Sequence, residues 1–302
     1  MEYTLEKRKM DILVIASSRL EQLKYTIDHF LKFAHFYGDY RFILHEDFVI
    51  PKESEKVIKW AENQKDIFKP ENIHYHNPPL GLIGTTSYTL NLVKTPFFFN
   101  LQDDWIFERP IEIDRILRLM ENVDDINLIV FAKHRIPKYK SNIKLTEFKF
   151  PEIDSGITLS QYSTWSFIPA IWRSSFSIPI CLKAMKNKNK RTAPARMTNT
   201  IRTPDKKKDV EYLRKNMGAY FYGGHGEYRW VRHIGENARM EEWRIENGKP
   251  GKEGICQETN IMHLAPWIPF EHVPKIEGRN SKLIIENEIK RRKKKRANKT
   301  YG

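Results

Sequence analysis

Two adjacent carboxylates, Asp103 and Asp104, stand just past the apolar run Thr95–Leu101 (TPFFFNL) and just before Trp105. A run of that kind reads as a buried strand, and in an open α/β sheet ligands gather outside the carboxyl ends of the strands. A carboxylate pair there suits a hard divalent cation, which takes oxygen ligands and bridges to phosphate. The plain alternative is an acidic turn, because Asp favours turns. Farther along, Asp209 and Glu211 are separated by one residue. On a helix that spacing sets them about 200° apart, so both cannot face one substrate. Two charges at the N-terminal end of a helix would equally serve its stability. Trp165, Phe167 and Trp172 carry faces that stack on sugars and bases, although core packing is the expected fate of at least two of them.

These residues need elements to position them. Ile12–Ala16 (ILVIA) is a short continuous apolar run, as expected of a strand buried on both faces. Ser18 and Glu21 follow at capping-box spacing, and Leu20, Leu23, Ile27, Phe30, Leu31 and Ala34 recur with helical period. The pattern then repeats. Arg41–His45 reads as a strand, and Pro51 opens a helix to about Asp66. Asn72–His76 reads as a strand, and Leu80–Lys94 as a helix with Gly81 and Gly84 near its start. After the strand Thr95–Leu101, Pro110 opens a helix through Met120, and Asn127–Ala132 is a further strand. Strands alternating with helices imply a largely parallel α/β sheet with right-handed crossovers. Beyond residue 135 the alternation weakens. Lys138–Phe150 reads as a loop or irregular strand pair and Lys186–Lys208 as a mobile basic loop. Helical spacing resumes over Asp209–Asn216, Ala219–Tyr222 and Tyr228–His233 read as strands, and Leu283–Lys295 as a terminal helix with one basic face. No internal repeat is present.

The chain has 302 residues, of which 40% are apolar and 12% aromatic, enough to bury a real core and to exclude a mostly disordered protein. Two cysteines, Cys181 and Cys256, exclude a disulfide scaffold or a Cys-rich zinc module. No apolar run approaches the roughly 20 residues of a transmembrane helix, and MEYTLEKRKM lacks the apolar stretch of a signal peptide. The expected setting is therefore a reducing compartment, the cytoplasm. The net charge of +14 is concentrated. Residues 182–215 hold twelve basic and three acidic side chains, and residues 275–302 hold eleven and three. The rest of the chain is slightly acidic. Basic runs of this kind suit a polyanion: nucleic acid, an anionic membrane face or an acidic polymer. A solvated tail is the bland reading of the second.

The order ILVIASSR, HED, GLIGTTSYTLNLVKTPFFFNLQDDW and the later VRHIG resembles nucleotide-sugar glycosyltransferases of the GT-A fold. The resemblance covers residues 10–135 well and 160–240 loosely. It implies a Rossmann-like, mostly parallel sheet flanked by helices. Residues 10–135 would form the nucleotide-sugar-binding half, 136–275 the acceptor-binding half of the same domain, and 276–302 a basic C-terminal segment. By the same resemblance Ser17, Ser18, Arg19, Glu46 and Asp47 hold the base and ribose. The family's D-x-D motif, which binds Mn²⁺ or Mg²⁺ on the diphosphate, reads Gln102-Asp103-Asp104 here. Asp104 is then the favoured metal residue, with Asp103 at the ribose or the metal. His233 is the expected late histidine of the metal shell, with His225 and His263 as weaker alternatives. The segment from Lys208 to Gly218 resembles the helix that supplies the general base of inverting members, so Asp209 or Glu211 takes that role, Asp209 slightly preferred.

Two other classes stay open at this point. A nucleotidyltransferase also joins an α/β sheet to a carboxylate–metal site, but it usually carries a Gly-rich, basic turn after its first strand, and here that turn is ASSRLEQ. A non-catalytic nucleic-acid-binding protein would explain the basic segments and leave the carboxylates at a strand end unexplained. For a glycosyltransferase the basic segments point to a polyanionic acceptor. One is DNA with hydroxymethylated pyrimidines, as glycosylated by phage enzymes. Its rival is a cell-surface or capsid polysaccharide, with the tail on anionic lipid.

Overall fold

A computed structural model describes residues 8–140, 143–162, 167–186 and 217–234. Their elements run β1 (Lys9–Ala16), α1 (Leu20–Phe33), β2 (Ala34–His35), β3 (Asp39–Asp47), α2 (Pro51–Asn63), β4 (Ile73–His76), α3 (Gly81–Leu90) and β5 (Phe97–Gln102). Next come β6 (Trp105–Phe107), β7 (Ile111–Glu112), α4 (Ile113–Asn122), β8 (Leu128–Val130), β9 (Tyr139–Lys140), β10 (Ile143–Lys144), β11 (Glu147–Phe150) and α5 (Pro151–Asp154). The described chain closes with β12 (Ser155–Gln161), β13 (Ala170–Arg173), α6 (Ser174–Met185), β14 (Ala219–Tyr222) and β15 (Val231–His233).

One nine-stranded sheet, ordered β11-β12-β14-β8-β13-β5-β1-β3-β4, organises these elements. β4, β3, β1 and β5 are parallel neighbours, and β8 and β14 continue in the same direction. β13 and β12 run against them, β13 lying antiparallel between β5 and β8. The sheet is thus mostly parallel and helix-flanked, as the alternation implies. The reversed β13 was not foreseen. Its stretch TWSFIPAIWR reads as aromatic and Pro-broken, and nothing in a strand's own sequence records its direction.

Burial on both faces explains the apolar run of β1. Met10, Ile12, Val14 and Ala16 pack with Leu23, Ile27 and Phe30 of α1 and Val57 and Ala61 of α2. Leu13 packs on the other face with Ile43, Phe98, Leu90 of α3 and Cys181 of α6. Phe30 holds the first face together, its ring centroid 5.0 Å from Phe99, 5.8 Å from Phe42 and 5.6 Å from Phe107.

Two local expectations change. The capping box of Ser18 and Glu21 does not form: α1 starts at Leu20 behind Arg19 with no side-chain cap, and the Ser18 hydroxyl is engaged elsewhere. Pro110 does not open a helix but precedes the short strand β7, and α4 begins at Ile113. Lys138–Phe150 contains β9, β10 and β11. Phe167 and Trp172 are buried in the core on the α6 face. Trp165, the helical reading of Asp209–Asn216 with Asp209 and Glu211, most of the first basic segment, His263 and all of 276–302 lie outside the described residues.

Candidate active site

The carboxyl ends of β1, β3 and β5 lie side by side, with Ala16 beside Glu46 and Ile15 beside Gln102. The turns that leave them carry the candidate residues. Asp103 and Asp104 form the turn between β5 and β6, and the Asp103 amide still bonds to the Ile15 carbonyl at 3.0 Å. The first carboxylate is therefore fixed against the end of β1. Antiparallel pairing of β15 with β6 sets His233 opposite Trp105, and the Ile234 amide donates to the Asp104 carbonyl at 2.8 Å. A residue about 130 positions away in sequence thus reaches the same turn.

Arg19 is the centre of the cluster. It donates from Nε to Asp103 Oδ2 at 3.0 Å and from Nη1 to Asp104 Oδ2 at 2.7 Å, and its Nη2 pairs with Asp103 Oδ1. Its fork of donors matches carboxylate geometry, which an ammonium could not do. Asp103 Oδ2 also accepts the Ser17 amide at 2.9 Å. Asp104 Oδ2 takes a second donor, His233 Nε2 at 3.1 Å, and the His233 ring stacks on Trp105 with centroids 4.4 Å apart. Asp103 and Asp104 are 1% and 6% exposed, so this charge is held almost wholly away from water. Burial would raise the Asp104 carboxyl, but Arg19 and His233 overcome it and hold it far below the usual carboxylate range. Burial would likewise lower the Arg19 guanidinium, and the two carboxylates outweigh it and hold it above its usual value.

Behind this cluster sits a neutral one. Glu46 Oε1 accepts the Ser18 amide and the Ser54 hydroxyl, both at 2.7 Å. The Ser18 hydroxyl bonds to that of Ser54 at 2.8 Å and accepts the Ile50 amide at 2.8 Å. Ser18 holds φ at +56°, a left-handed conformation uncommon for a non-glycine residue, so this network fixes the turn in an unfavourable region. Burial pushes the Glu46 carboxyl up to about 8, against the pull of Ser54 and Ser18 and with help from Asp103. Burial thus favours its protonated form, and its Oε2 is buried with no hydrogen-bond partner.

Side-chain alternation along β3 turns Asp47 to the opposite face from Glu46. Its Oδ1 and Oδ2 accept the amides of Leu80 and Gly81 at 2.6 and 2.8 Å. Asp47 thereby anchors the start of α3 and acts on any ligand through that turn. The structure brings Ser17, Ser18, Arg19, Glu46, Asp103, Asp104 and His233 together. Of the weaker histidines, His225 lies 3.4 Å from Glu147 through Nδ1. Ser54, a buried α2 residue, has no local signal in the sequence that marks it as part of this cluster.

The donors fit one divalent cation, through Asp104. Asp104 Oδ1 is buried without a hydrogen-bond partner. His233 Nε2, 3.1 Å from Asp104 Oδ2, would be the second protein ligand once its proton sits on Nδ1. Asp103 is committed to Arg19 and the Ser17 amide. Among the described residues no three His, Cys, Asp or Glu side chains surround one point as a ready metal site. A cation here would take phosphate oxygens and water as its remaining ligands.

No protein-family model matches the chain, and no curated protein is similar to it in sequence. Solved structures resemble it in chain course. The 4-diphosphocytidyl-2C-methyl-D-erythritol synthase of Anaerococcus prevotii is 15% identical, with 72% of this chain and 90% of that one covered and a TM-score of 0.35. The mannosyltransferase PcManGT of Pyrobaculum calidifontis, in complex with GDP-Man and Mn²⁺, is 10% identical over 87% and 72%, with a TM-score of 0.43. GalNAc-T7 with UDP, GalNAc and Mn²⁺ is 11% identical over 74% and 43%, with a TM-score of 0.47.

Proposed function

We propose that this protein is a metal-dependent glycosyltransferase of the GT-A kind, moving a sugar from a nucleotide-sugar donor to a hydroxyl acceptor. The observation that carries this reading is the convergence of Arg19, Asp103, Asp104 and His233 on one buried point at the carboxyl ends of the parallel strands. Breaking a sugar–phosphate bond leaves a nucleoside diphosphate with added negative charge. Bound at Asp104, Mn²⁺ or Mg²⁺ would supply Lewis-acid stabilisation of that leaving group. The chain's own residues hold the donor. Ser17, Ser18 and Arg19 shape the turn beneath the nucleotide, and the neutral Glu46 carboxyl offers a hydrogen-bond donor there. Asp47 fixes the Leu80–Gly81 backbone on the other side of β3. Trp105 keeps the His233 ring in plane against Asp104. Asp209 or Glu211 would activate the acceptor hydroxyl if the reaction inverts configuration.

A nucleotidyltransferase must cradle a triphosphate, and the turn Ala16–Leu20 offers no glycine for it. The acceptor reading rests on charge alone. The basic segments favour a polyanion, with hydroxymethyl-pyrimidine DNA and an anionic glycan as the two candidates, and the cytoplasm as the compartment for either. Incubating the protein and Mn²⁺ with a panel of UDP-, GDP- and CDP-sugars, and separately with nucleoside triphosphates, tests the reaction class. Slow release of one nucleoside diphosphate from its sugar is expected. Pyrophosphate release from a triphosphate in place of it would establish nucleotidyl transfer.

A further inference from the structure

The position of Arg19 has a consequence for ligand binding. Arg19 is 9% exposed, and its guanidinium spans both carboxylates, two of its nitrogens on Asp103 and the third on Asp104. Asp104 Oδ2, the oxygen nearest His233, is the one that Nη1 occupies. A dication held there would lie within a few ångströms of a permanently charged group in a buried site, where like charges repel strongly. The fork suggests how the conflict resolves. Nε and Nη2 can stay on Asp103 while Nη1 alone lets go of Asp104.

We infer that Arg19 is a tethered counter-ion of the carboxylate pair: in the ligand-free protein it neutralises Asp103 and Asp104, and it releases Asp104 to a divalent cation and turns Nη1 to an oxygen of the donor's diphosphate. This rests on the reading that Asp104 takes the metal. Arg19 is then a positioning residue that couples two ligands. Metal alone binds against the repulsion of the guanidinium, and diphosphate alone draws Nη1 from an Asp104 that no cation yet compensates. Each relieves the cost of the other, and the coupling must be reciprocal.

The test is Mn²⁺ affinity, read from the electron paramagnetic resonance of free Mn²⁺, with and without inorganic pyrophosphate. Complexation of Mn²⁺ by pyrophosphate in protein-free solution is subtracted. Wild-type protein should bind Mn²⁺ weakly alone and about tenfold or more tightly with pyrophosphate present. Arg19→Met should bind Mn²⁺ alone about tenfold more tightly than wild type, with little further gain from pyrophosphate. Arg19→Lys, whose ammonium cannot span both acids, should fall between. Asp104→Asn should bind none.

Because Arg19→Met takes the guanidinium away from two buried carboxylates, thermal unfolding is followed on the same samples. Mn²⁺ should raise its Tm more than that of wild type, or restore a cooperative transition if the variant has none without metal. If wild type binds Mn²⁺ and Asp104→Asn does not, but Arg19→Met and Arg19→Lys bind it no tighter than wild type, the counter-ion role is wrong and Asp104 keeps its place as metal residue. If wild type binds no Mn²⁺ with or without pyrophosphate, both readings fall.

Discussion

Glu46 and His45 are neighbours on β3 that point to opposite faces, and burial moves both away from their charged forms. Glu46 rises to about 8. His45 falls to about 4, lowered first by burial and then by His76 and His74, with His76 Nδ1 2.8 Å from its Nε2. The two act on stability with opposite sign. Between pH 4.5 and 8 the folded protein keeps the Glu46 proton that the unfolded chain releases, so stability falls as pH rises. Between pH 6.5 and 4 the unfolded chain takes up a proton that folded His45 refuses, so stability falls as pH drops. The slopes oppose each other below pH 6.5, and Glu46 acts without that opposition from there to pH 8. We predict that urea stability declines over pH 6.5–8 by up to about 1.4 kcal/mol per unit, and that Glu46→Gln removes the decline. An unchanged slope in Glu46→Gln would place the titrating group elsewhere. The acidity of Asp103 and Asp104 and their place at a strand end were legible in the sequence. Their bonds to Arg19, some 85 positions earlier, were not, because an ion pair at that separation leaves no local pattern.

At the scale of elements, periodicity carried most of the first half. β1, α1, β3, α2, β5 and α4 each show a burial pattern that their residues announce, since a strand buried twice and an amphipathic helix have different periods. What failed was capping and direction. Ser18 has the spacing of a helix cap, yet Ser54 and the Ile50 amide claim its hydroxyl, and both follow β3 in the chain. β13 enters the sheet reversed, and two-residue strands such as β2 and β7 are too short to carry a period. The contact of α1 with the sheet centres on Phe30. Phe30→Ala should cost roughly 3–5 kcal/mol in urea unfolding and leave nucleotide affinity of the folded fraction intact. A loss under 1 kcal/mol would mean that Phe30 is not the keystone of that face.

The whole molecule joins a compact α/β body to basic segments, and its acceptor is read through them. If the acceptor is DNA, binding releases counterions, and the log–log slope against salt should be about −0.9 per phosphate contacted on duplex. Neutralising Lys206, Lys207 and Lys208 should make that slope shallower and raise the acceptor KM, while background hydrolysis of the nucleotide sugar is unchanged. Fluorescence titration with hydroxymethyl-pyrimidine duplex at several salt concentrations measures it, and a flat response would favour a glycan. Upstream of any acceptor stands the proposed metal-dependent cleavage of a nucleotide sugar at Asp104. Its most direct measurement is nucleoside diphosphate release from the active donor by wild type and Asp104→Asn, each with Mn²⁺ and with EDTA. The account predicts turnover in wild type with Mn²⁺ alone, its loss in EDTA and its recovery on adding metal back. Asp104→Asn should be folded and inactive in both conditions. Full activity of wild type in EDTA, or of Asp104→Asn with Mn²⁺, would contradict it.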